Sequence, residues 1–207
     1  MDDVTALALA ARDGDRVALS SFVRTTWTDV ARLVTAVAGR DLAEDAAQDA
    51  YVRALRALPS FRGEASARVW LMTIARRSAV DAVRGAARRR RLARLLGART
   101  EPAVEPGVAD GVLSQQALAL LDPDRRAAFA LTQLLGFDYA AAAAICGCPV
   151  GTIRSRVARA REVLVAELGP VAVTGGAATA GGPPGAGAPA APAPAGEPAP
   201  VPPAPAP

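Results

Sequence analysis

The 207-residue sequence contains no histidine, no lysine and only two cysteines, Cys146 and Cys148. Without histidine a Ser-His-Asp catalytic triad is excluded, and two cysteines alone argue against a zinc site. The pair cannot form a disulfide framework, which favours a reducing compartment. Their spacing leaves a redox switch open, although a buried small side chain at Cys146 is the favoured interpretation. Neither a histidine-based catalytic triad nor a histidine/cysteine zinc site is therefore expected.

Long hydrophobic runs and aromatic residues are also scarce. No apolar stretch approaches the ~20 residues that span a bilayer. The acidic start, Met1-Asp2-Asp3, differs from the basic start of a signal peptide. Aromatic residues make up 4% of the chain, which argues against one large aromatic-rich core. We therefore expect a cytoplasmic protein without a membrane partner, built as one domain or two small ones.

The charges are of unusual type and distribution. All 24 cationic side chains are arginine, whose planar guanidinium pairs bidentately with phosphate and stays protonated. Residues 41–49 carry four acids and no cation, whereas residues 76–99 carry nine arginines and one acid. The chain is therefore expected to contact two different partners through an acidic and a basic surface.

Breaks in composition divide the chain. Segments rich in alanine, leucine and arginine have helical spacing and lack alternating strand patterns, which predicts an all-α fold. Between Leu92 and Val112, the glycines and prolines at positions 97, 102, 106, 107 and 111 interrupt any helix of useful length. We predict two small helical domains, residues 1–91 and 113–168, joined by a flexible linker, residues 92–112.

The last segment, residues 169–207, has a different composition. It holds 12 of the 17 prolines, 8 of the 18 glycines and one charged residue, Glu197. Because no amphipathic pattern offsets the ordering entropy, we predict a disordered tail with polyproline-II character after Pro183. Its Pro-x-x-Pro spacing leaves a role as a peptide ligand open.

The second domain has the spacing of a helix-turn-helix. Residues that typically start or end helices divide it into three helices, and the third runs from Val150 to about Glu167. These residues are Asp122 with Pro123, Gly136, Asp138, Gly147 and Pro149. A short helix, a turn with glycine and a second helix form a common DNA-binding unit.

The third helix has two distinct faces. One apolar stripe faces the core: Ile153, Val157, Ala160 and Leu164. The other face suits the major groove: Thr152, Arg154, Ser155, Ala158 and Arg159. Arginine pairs with guanine, a small alanine permits close approach, and the helix N-terminus favours phosphate. An ordinary solvated arginine-rich helix is the alternative, and the preceding helix and turn favour DNA binding.

Residues 148–161, Cys-Pro-Val-Gly-Thr-Ile-Arg-Ser-Arg-Val-Ala-Arg-Ala-Arg, resemble the −35 recognition helix of extracytoplasmic-function (ECF) sigma factors. The longer run from Leu131 to Arg161 is similar to the actinobacterial sigma-C type. The resemblance implies sigma region 2 and sigma region 4 domains in an alternative sigma factor. Such a protein binds core RNA polymerase and directs initiation at promoter DNA. The resemblance further implies a non-catalytic protein that needs no metal or other cofactor. It also implies base and phosphate contacts by Arg154, Ser155 and Arg159.

Residues 41–54 resemble the polymerase-binding helix of that family. Four polar residues fall on one side of this helix, and the resemblance places them against the clamp helices of the large polymerase subunit: Asp41, Asp45, Gln48 and Asp49. We predict that the buried side is supplied by Tyr51, Val52, Leu55 and Leu58. A solvated face is the alternative, and a metal site is disfavoured because one exposed face rarely makes carboxylates converge.

Residues 61–71 and 74–84 resemble the −10 recognition segment. The resemblance implies that the loop from Phe61 to Ala65 receives a base flipped from the non-template strand, and that the following helix binds its backbone. The implied −10 contacts are Phe61, Arg62, Gly63, Glu64, Arg68, Arg76, Arg77 and Arg84. Trp70 is placed in the core because its helical spacing with neighbouring apolar residues favours packing over stacking on DNA.

Three other functions are compatible with parts of the sequence. A free-standing helix-turn-helix regulator would need neither the acidic helix nor the Trp70 segment, and a DNA-processing enzyme would need a catalytic set that the chain lacks. A basic RNA-binding adaptor stays open, as does the role of the arginine run 88–91 as phosphate contact or solvated linker end. For regulation, an anti-sigma factor is a candidate partner. The alternative hypothesis is self-inhibition, in which residues 41–49 dock on the basic helix 154–161.

Overall fold

The computed structural model describes residues 2–96 and 115–168. These two stretches fold into helices joined by short loops and contain no strand, which confirms the all-α prediction. The predicted tail, 169–207, and the predicted linker from residue 97 onward lie outside the described residues.

The first domain consists of four helices and a 3₁₀ turn: α1 (Asp3–Arg12), α2 (Arg16–Ala38), α3 (Arg40–Ala57), the turn Leu58–Ser60, and α4 (Ala67–Leu95). Aspartates start the first two helices, because the side chains of Asp2 and Asp15 accept hydrogen bonds from backbone N–H groups of the first turn. Gly39, at φ 83°, makes the sharp turn between α2 and α3. The last helix runs without a break to Leu95, so residues 92–95, the start of the predicted flexible linker, are helical because the leucine- and arginine-rich sequence continues up to Gly97.

The second domain contains α5 (Gln115–Ala119), α6 (Pro123–Phe129), a π-helical turn (Ala130–Leu134), α7 (Tyr139–Cys146) and α8 (Val150–Leu168). The predicted start and stop signals are confirmed. The side chains of Asp122 and Asp138 cap α6 and α7, and Gly147 ends α7 in the left-handed conformation at φ 63°. The short turn after Gly147 then leads into α8, which produces the helix-turn-helix.

Alanines allow α3 to lie close against α2 and α4. The packed face of α3 consists of Ala46, Ala47, Ala50, Tyr51 and Ala54. The hydroxyl groups of Tyr51 and Thr26 hydrogen bond at 2.9 Å, and burial raises the pKa of Tyr51. The prediction that Val52 and Leu55 are buried is wrong: they are 45% and 41% exposed, because the alanines occupy the packing face.

Candidate nucleic-acid interface

The two faces of α8 lie where the sequence predicted. Its apolar stripe is almost completely buried: Ile153, Val157, Ala160 and Leu164. On the other side, Arg154, Ser155, Ala158 and Arg159 are exposed, and Thr152 is half-buried. The Ser155 hydroxyl donates to the Thr152 carbonyl at 3.0 Å, which keeps this short side chain close to the helix. The two arginines therefore project from a rigid helix whose opposite side is anchored.

The acidic stripe of α3 is mostly free. Asp41, Asp45 and Gln48 are exposed. By contrast, Asp49 pairs with Arg53 at 2.8 Å, and Arg53 also reaches Asp81 of α4 at 2.9 Å. The hydrogen bond that Arg53 donates to the Asp81 carboxylate is the main cause of a raised Arg53 pKa. Asp49 is thus held within its own domain, whereas the other three side chains face solvent.

An apolar extension of this stripe was missed by the sequence analysis. Val52 and Leu55 continue the i+4 and i+7 spacing from Gln48, so they lie on the same side of α3. Beside Leu55, Trp27 of α2 is 45% exposed and stacks on the Tyr51 ring with centroids 5.7 Å apart. The helical spacing of Val52 and Leu55 from Gln48 could have placed them on the exposed side. Their apolar character instead favoured the prediction that they lie in the core.

The loop between the 3₁₀ turn and α4, residues 61–66, has a buried start and an exposed middle. Phe61 is only 6% exposed and packs on the half-buried Trp70, with ring centroids 4.9 Å apart. Arg62 and Glu64 are exposed, and Gly63 has φ 74°. Phe61 therefore forms the inner wall of the loop, while Arg62 and Glu64 are the accessible side chains.

The four arginines assigned to the −10 strand divide into two pairs. Arg77 and Arg84 are exposed on α4. Arg68 instead pairs with Asp29 at 2.7 Å, donates to the Leu135 carbonyl at 3.2 Å, and lies over the Phe137 ring. Thus one arginine of the first domain is already engaged by the second.

Arg76 is engaged in the same way, through a shared carboxylate. One oxygen of Asp124 lies 2.5 Å from Arg76 of α4, and the other lies 2.9 Å from Arg156 of α8. Arg126 adds a further link by donating to the Val37 carbonyl at 3.0 Å, and burial lowers the pKa of Arg126. We call this set the interdomain contact: Arg68, Arg76, Asp124, Arg126 and Arg156.

The interdomain contact corrects the hypothesis that residues 41–49 dock on helix 154–161. The two domains pack through α2 and α4 on one side and α6 and α7 on the other. The acidic stripe of α3 is not the docking surface, because Asp41 and Asp45 remain exposed. The interdomain role of Asp124 was not predicted from the sequence because its two arginine partners are distant in the chain. Locally, Asp124 is only an acidic residue in the first turn of α6, a common feature of helices.

The cysteines lie close to this contact and differ in environment. Burial raises the pKa of Cys146 to about 11, and Arg156 donates to the Cys148 sulfur at 3.6 Å. In a Cys148→Ser variant at pH 8, we expect the Cys146 thiol to be alkylated at least ~100-fold more slowly than in urea, because its thiolate is scarce. Mass spectrometry after timed iodoacetamide treatment measures both rates. Similar rates would restore the redox-switch interpretation.

The described residues hold no group of three or more histidine, cysteine, aspartate or glutamate side chains arranged to bind a metal ion. Among the helices of residues 2–96 and 115–168, none is both long and apolar enough to cross a membrane.

Two family models match the chain. The model described as sigma-70 region 2 matches residues 22–89, and the model described as sigma-70, region 4 matches residues 114–164. The first match contains α3 and the 61–66 loop, and the second contains the helix-turn-helix.

Individual proteins match over most of the chain. A probable RNA polymerase sigma-C factor of Mycobacterium bovis is 46% identical over 177 residues, which cover 83% of this chain and 95% of that protein. The ECF RNA polymerase sigma-E factor of Escherichia coli K12 is 31% identical over 172 residues, covering 76% of this chain and 90% of the relative.

Solved structures show the same architecture. The sigma factor RpoE from Bartonella quintana, in complex with the anti-sigma factor NepR, superposes with a TM-score of 0.61 at 32% identity. That match covers 72% of this chain and 96% of RpoE. CnrH, in complex with the cytosolic domain of CnrY, gives a TM-score of 0.62 at 27% identity, over 81% of this chain and 97% of CnrH.

Proposed function

Because this chain belongs to the ECF sigma factors, alternative sigma factors that direct RNA polymerase to specific promoters, we propose that three separate surfaces divide the task. The exposed face of α8 binds the −35 duplex. The 61–66 loop and the arginines of α4 bind the −10 strand. The exposed stripe of α3 binds the polymerase. Since the partners are polymerase and chromosomal DNA, the protein works in the cytoplasm.

The −35 assignment is supported most strongly by one observation. Arg154, Ser155 and Arg159 are exposed on the side of α8 opposite a fully buried stripe, directly after the left-handed turn at Gly147. This arrangement lets α8 enter the major groove while its other face stays packed. There the arginine guanidinium groups donate to guanine or phosphate, and Ala158 leaves room for the base edges.

Replacing Arg154 by alanine is expected to weaken binding of a −35 duplex about ten-fold and to reduce discrimination against mutated −35 sequences, since a bidentate base contact is lost. Arg159→Ala should weaken binding in a similar way. Fluorescence anisotropy with matched and mutated duplexes at fixed salt measures both effects. Arg16→Ala, which removes an equally exposed arginine from α2, is the charge-matched control. Equal losses in the control and the α8 variants would contradict the assignment.

On α3, the proposed polymerase surface combines polar and apolar parts. Asp41, Asp45 and Gln48 supply hydrogen-bonding groups, and Val52 and Leu55 extend the same side with exposed apolar area. Interfaces commonly join an apolar anchor to a polar rim. The exposure of large apolar side chains in line with the acidic residues supports a protein partner over a solvated face.

The described arrangement is closed, and we propose that it opens before the −10 strand binds. Arg68 and Arg76 are paired with groups of the second domain or shielded by them, so they are unavailable to DNA phosphates. The carboxylate of Asp124 pairs with both Arg76 and Arg156, and a DNA phosphate would have to displace it from Arg76. The closed contact is imperfect, because the buried Nε of Arg76 has no partner among the described residues, a cost of about 1–3 kcal/mol. An anti-sigma factor, such as the NepR bound to RpoE, is a candidate partner of the closed form.

A further inference from the structure

Helix α1 touches the 61–66 loop at both of its ends. At the start of the loop, Arg12 donates to the Phe61 carbonyl at 3.1 Å. At the end, the Thr5 hydroxyl oxygen accepts from the backbone N–H of Ala67 at 2.9 Å. The Ser66 hydroxyl donates to Asp2 at 2.8 Å. The loop is thus attached to α1 on both sides of its exposed middle.

The middle of the loop also rests on α1. A Cβ atom added to Gly63 would lie 3.2 Å from the side chain of Leu9, so the loop backbone passes directly over this leucine. Gly63 has φ +74°, a conformation that other residues rarely adopt. The loop therefore follows the surface of α1 along its length and needs a glycine to do so.

The contacting residues of α1 form one stripe. Asp2, Thr5, Leu9 and Arg12 are spaced by three, four and three residues, which places them on a single helix face. Thr5 is 3% exposed, so its bond to Ala67 is shielded from water. Asp2 has a double role, because one carboxylate oxygen caps α1 through the N–H of Thr5 at 2.6 Å and the other holds Ser66. These hydrogen bonds, chiefly that from Thr5, hold the pKa of Asp2 below its ordinary value.

We propose that α1 is the template that sets the shape of the 61–66 loop and thereby determines which −10 base the loop accepts, with Thr5 and Arg12 as positioning residues. This inference rests on the proposed role of the loop in −10 recognition. Selection of a flipped base depends on how precisely the pocket walls are placed, so a shift of the loop backbone changes the preferred base. The match to the sigma-70 region 2 model begins at residue 22, so α1 lies outside it.

The test measures −10 preference with full-length variants and core polymerase. Thr5→Val removes the hydroxyl acceptor with little change in size, and Arg12→Gln removes the bond to Phe61. For each, run-off transcription is compared between promoters that differ only at single −10 bases and between promoters that differ only in the −35 element. We expect the −10 preference ratio to change about five-fold, from the loss of one hydrogen bond that is buried at Thr5 and partly buried at Arg12, with the −35 ratio unchanged.

Matched controls separate positioning from stability. Ser20→Ala removes an exposed hydroxyl that bonds only within α2, and Asp13→Asn removes the ion-pair partner of Arg12 while leaving its bond to Phe61. Thr5→Ser restores the acceptor and should restore the wild-type preference. If α1 only stabilises the fold, the Thr5→Val and Arg12→Gln variants would have a lower melting temperature and would reduce transcription from all promoters equally. This result would overturn the inference.

Failure of the inference is distinguishable from failure of the proposed function. Arg62→Ala with Glu64→Ala alters the exposed middle of the loop directly. If this double variant leaves −10 preference unchanged, the role of the loop itself is wrong. If it shifts the preference and the α1 variants do not, the template inference is wrong. If Thr5→Val does not fold, two other variants decide between these outcomes. They are Arg12→Gln and Ser66→Ala, which removes a half-buried hydroxyl group that bonds Asp2.

Discussion

Replacing Asp124 by alanine is expected to raise the affinity of the free protein for a single-stranded −10 oligonucleotide about ten-fold, because two ion pairs that close the domains are lost. Both carboxylate oxygens are used in the closed form, one by Arg76 and the other by Arg156. Asp124 is partly exposed, so solvent screening makes each of its ion pairs weaker than a fully buried pair. Fluorescence anisotropy with the oligonucleotide at low salt measures the change.

Binding of the −35 duplex is an internal comparison in the same experiment. Arg154 and Arg159 are exposed in the closed form, so Asp124→Ala should change −35 affinity much less than −10 affinity. The control is Glu162→Ala, which removes an exposed negative charge from α8. If both variants raise −10 affinity equally, the gain comes from net charge and the closed form does not restrict DNA binding.

Replacing both Asp45 and Gln48 by arginine is expected to weaken binding to core polymerase about 100-fold, since an acidic stripe complements a basic partner surface and the variant opposes it by reversing one charge and adding another. Both side chains are exposed in the middle of α3, away from the start of the helix, so the fold should be preserved. Competition with a labelled sigma factor for purified core polymerase measures the affinity.

The matched control adds the same charge elsewhere. Glu162→Arg with Ala166→Arg makes an equal change in net charge at exposed positions of α8. This control should retain core binding within about two-fold, because surface charges beyond a Debye length are largely screened. If the α3 variant also retains binding, the polymerase contact lies elsewhere, and the exposed Val52 and Leu55 need another partner.

Local signals in the sequence were sufficient for the helix-turn-helix. Asp122 and Asp138 cap helices through hydrogen bonds to residues two or three positions away, and Gly147 ends a helix by its own backbone conformation. The stripe that includes Ile153 and Leu164 follows from helical periodicity alone. Features of this kind depend on neighbours in the chain, so they are readable without knowledge of the tertiary structure.

Contacts between distant residues were not readable in this way. Val52 and Leu55 were assigned to the core by their apolar character, but smaller alanines fill the packing face of α3. Phe61 lies under Trp70, where it shapes the loop from inside. The pairing of Arg76 with Asp124 joins residues 48 positions apart, and no local pattern marks either as the partner of the other.

In the proposed mechanism, the closed arrangement sets the order in which the three surfaces are used. The proposed −35 face of α8 and the α3 stripe are exposed in the closed form, whereas Arg68 and Arg76 would become available only after the second domain moves. Polymerase binding to the first domain and −35 binding to the second would then favour the open form, provided that each partner binds it more tightly. On this account the −10 surface is released late, after the protein has reached polymerase.

Promoter-directed initiation by this protein is tested most directly by run-off transcription with purified core polymerase and a genomic promoter pool, with and without the protein. We expect a discrete set of new start sites that share −35 and −10 elements, and their loss when Arg154 and Arg159 are both replaced by alanine. The contradicting result is sequence-specific duplex binding by the protein alone with no polymerase-dependent transcript.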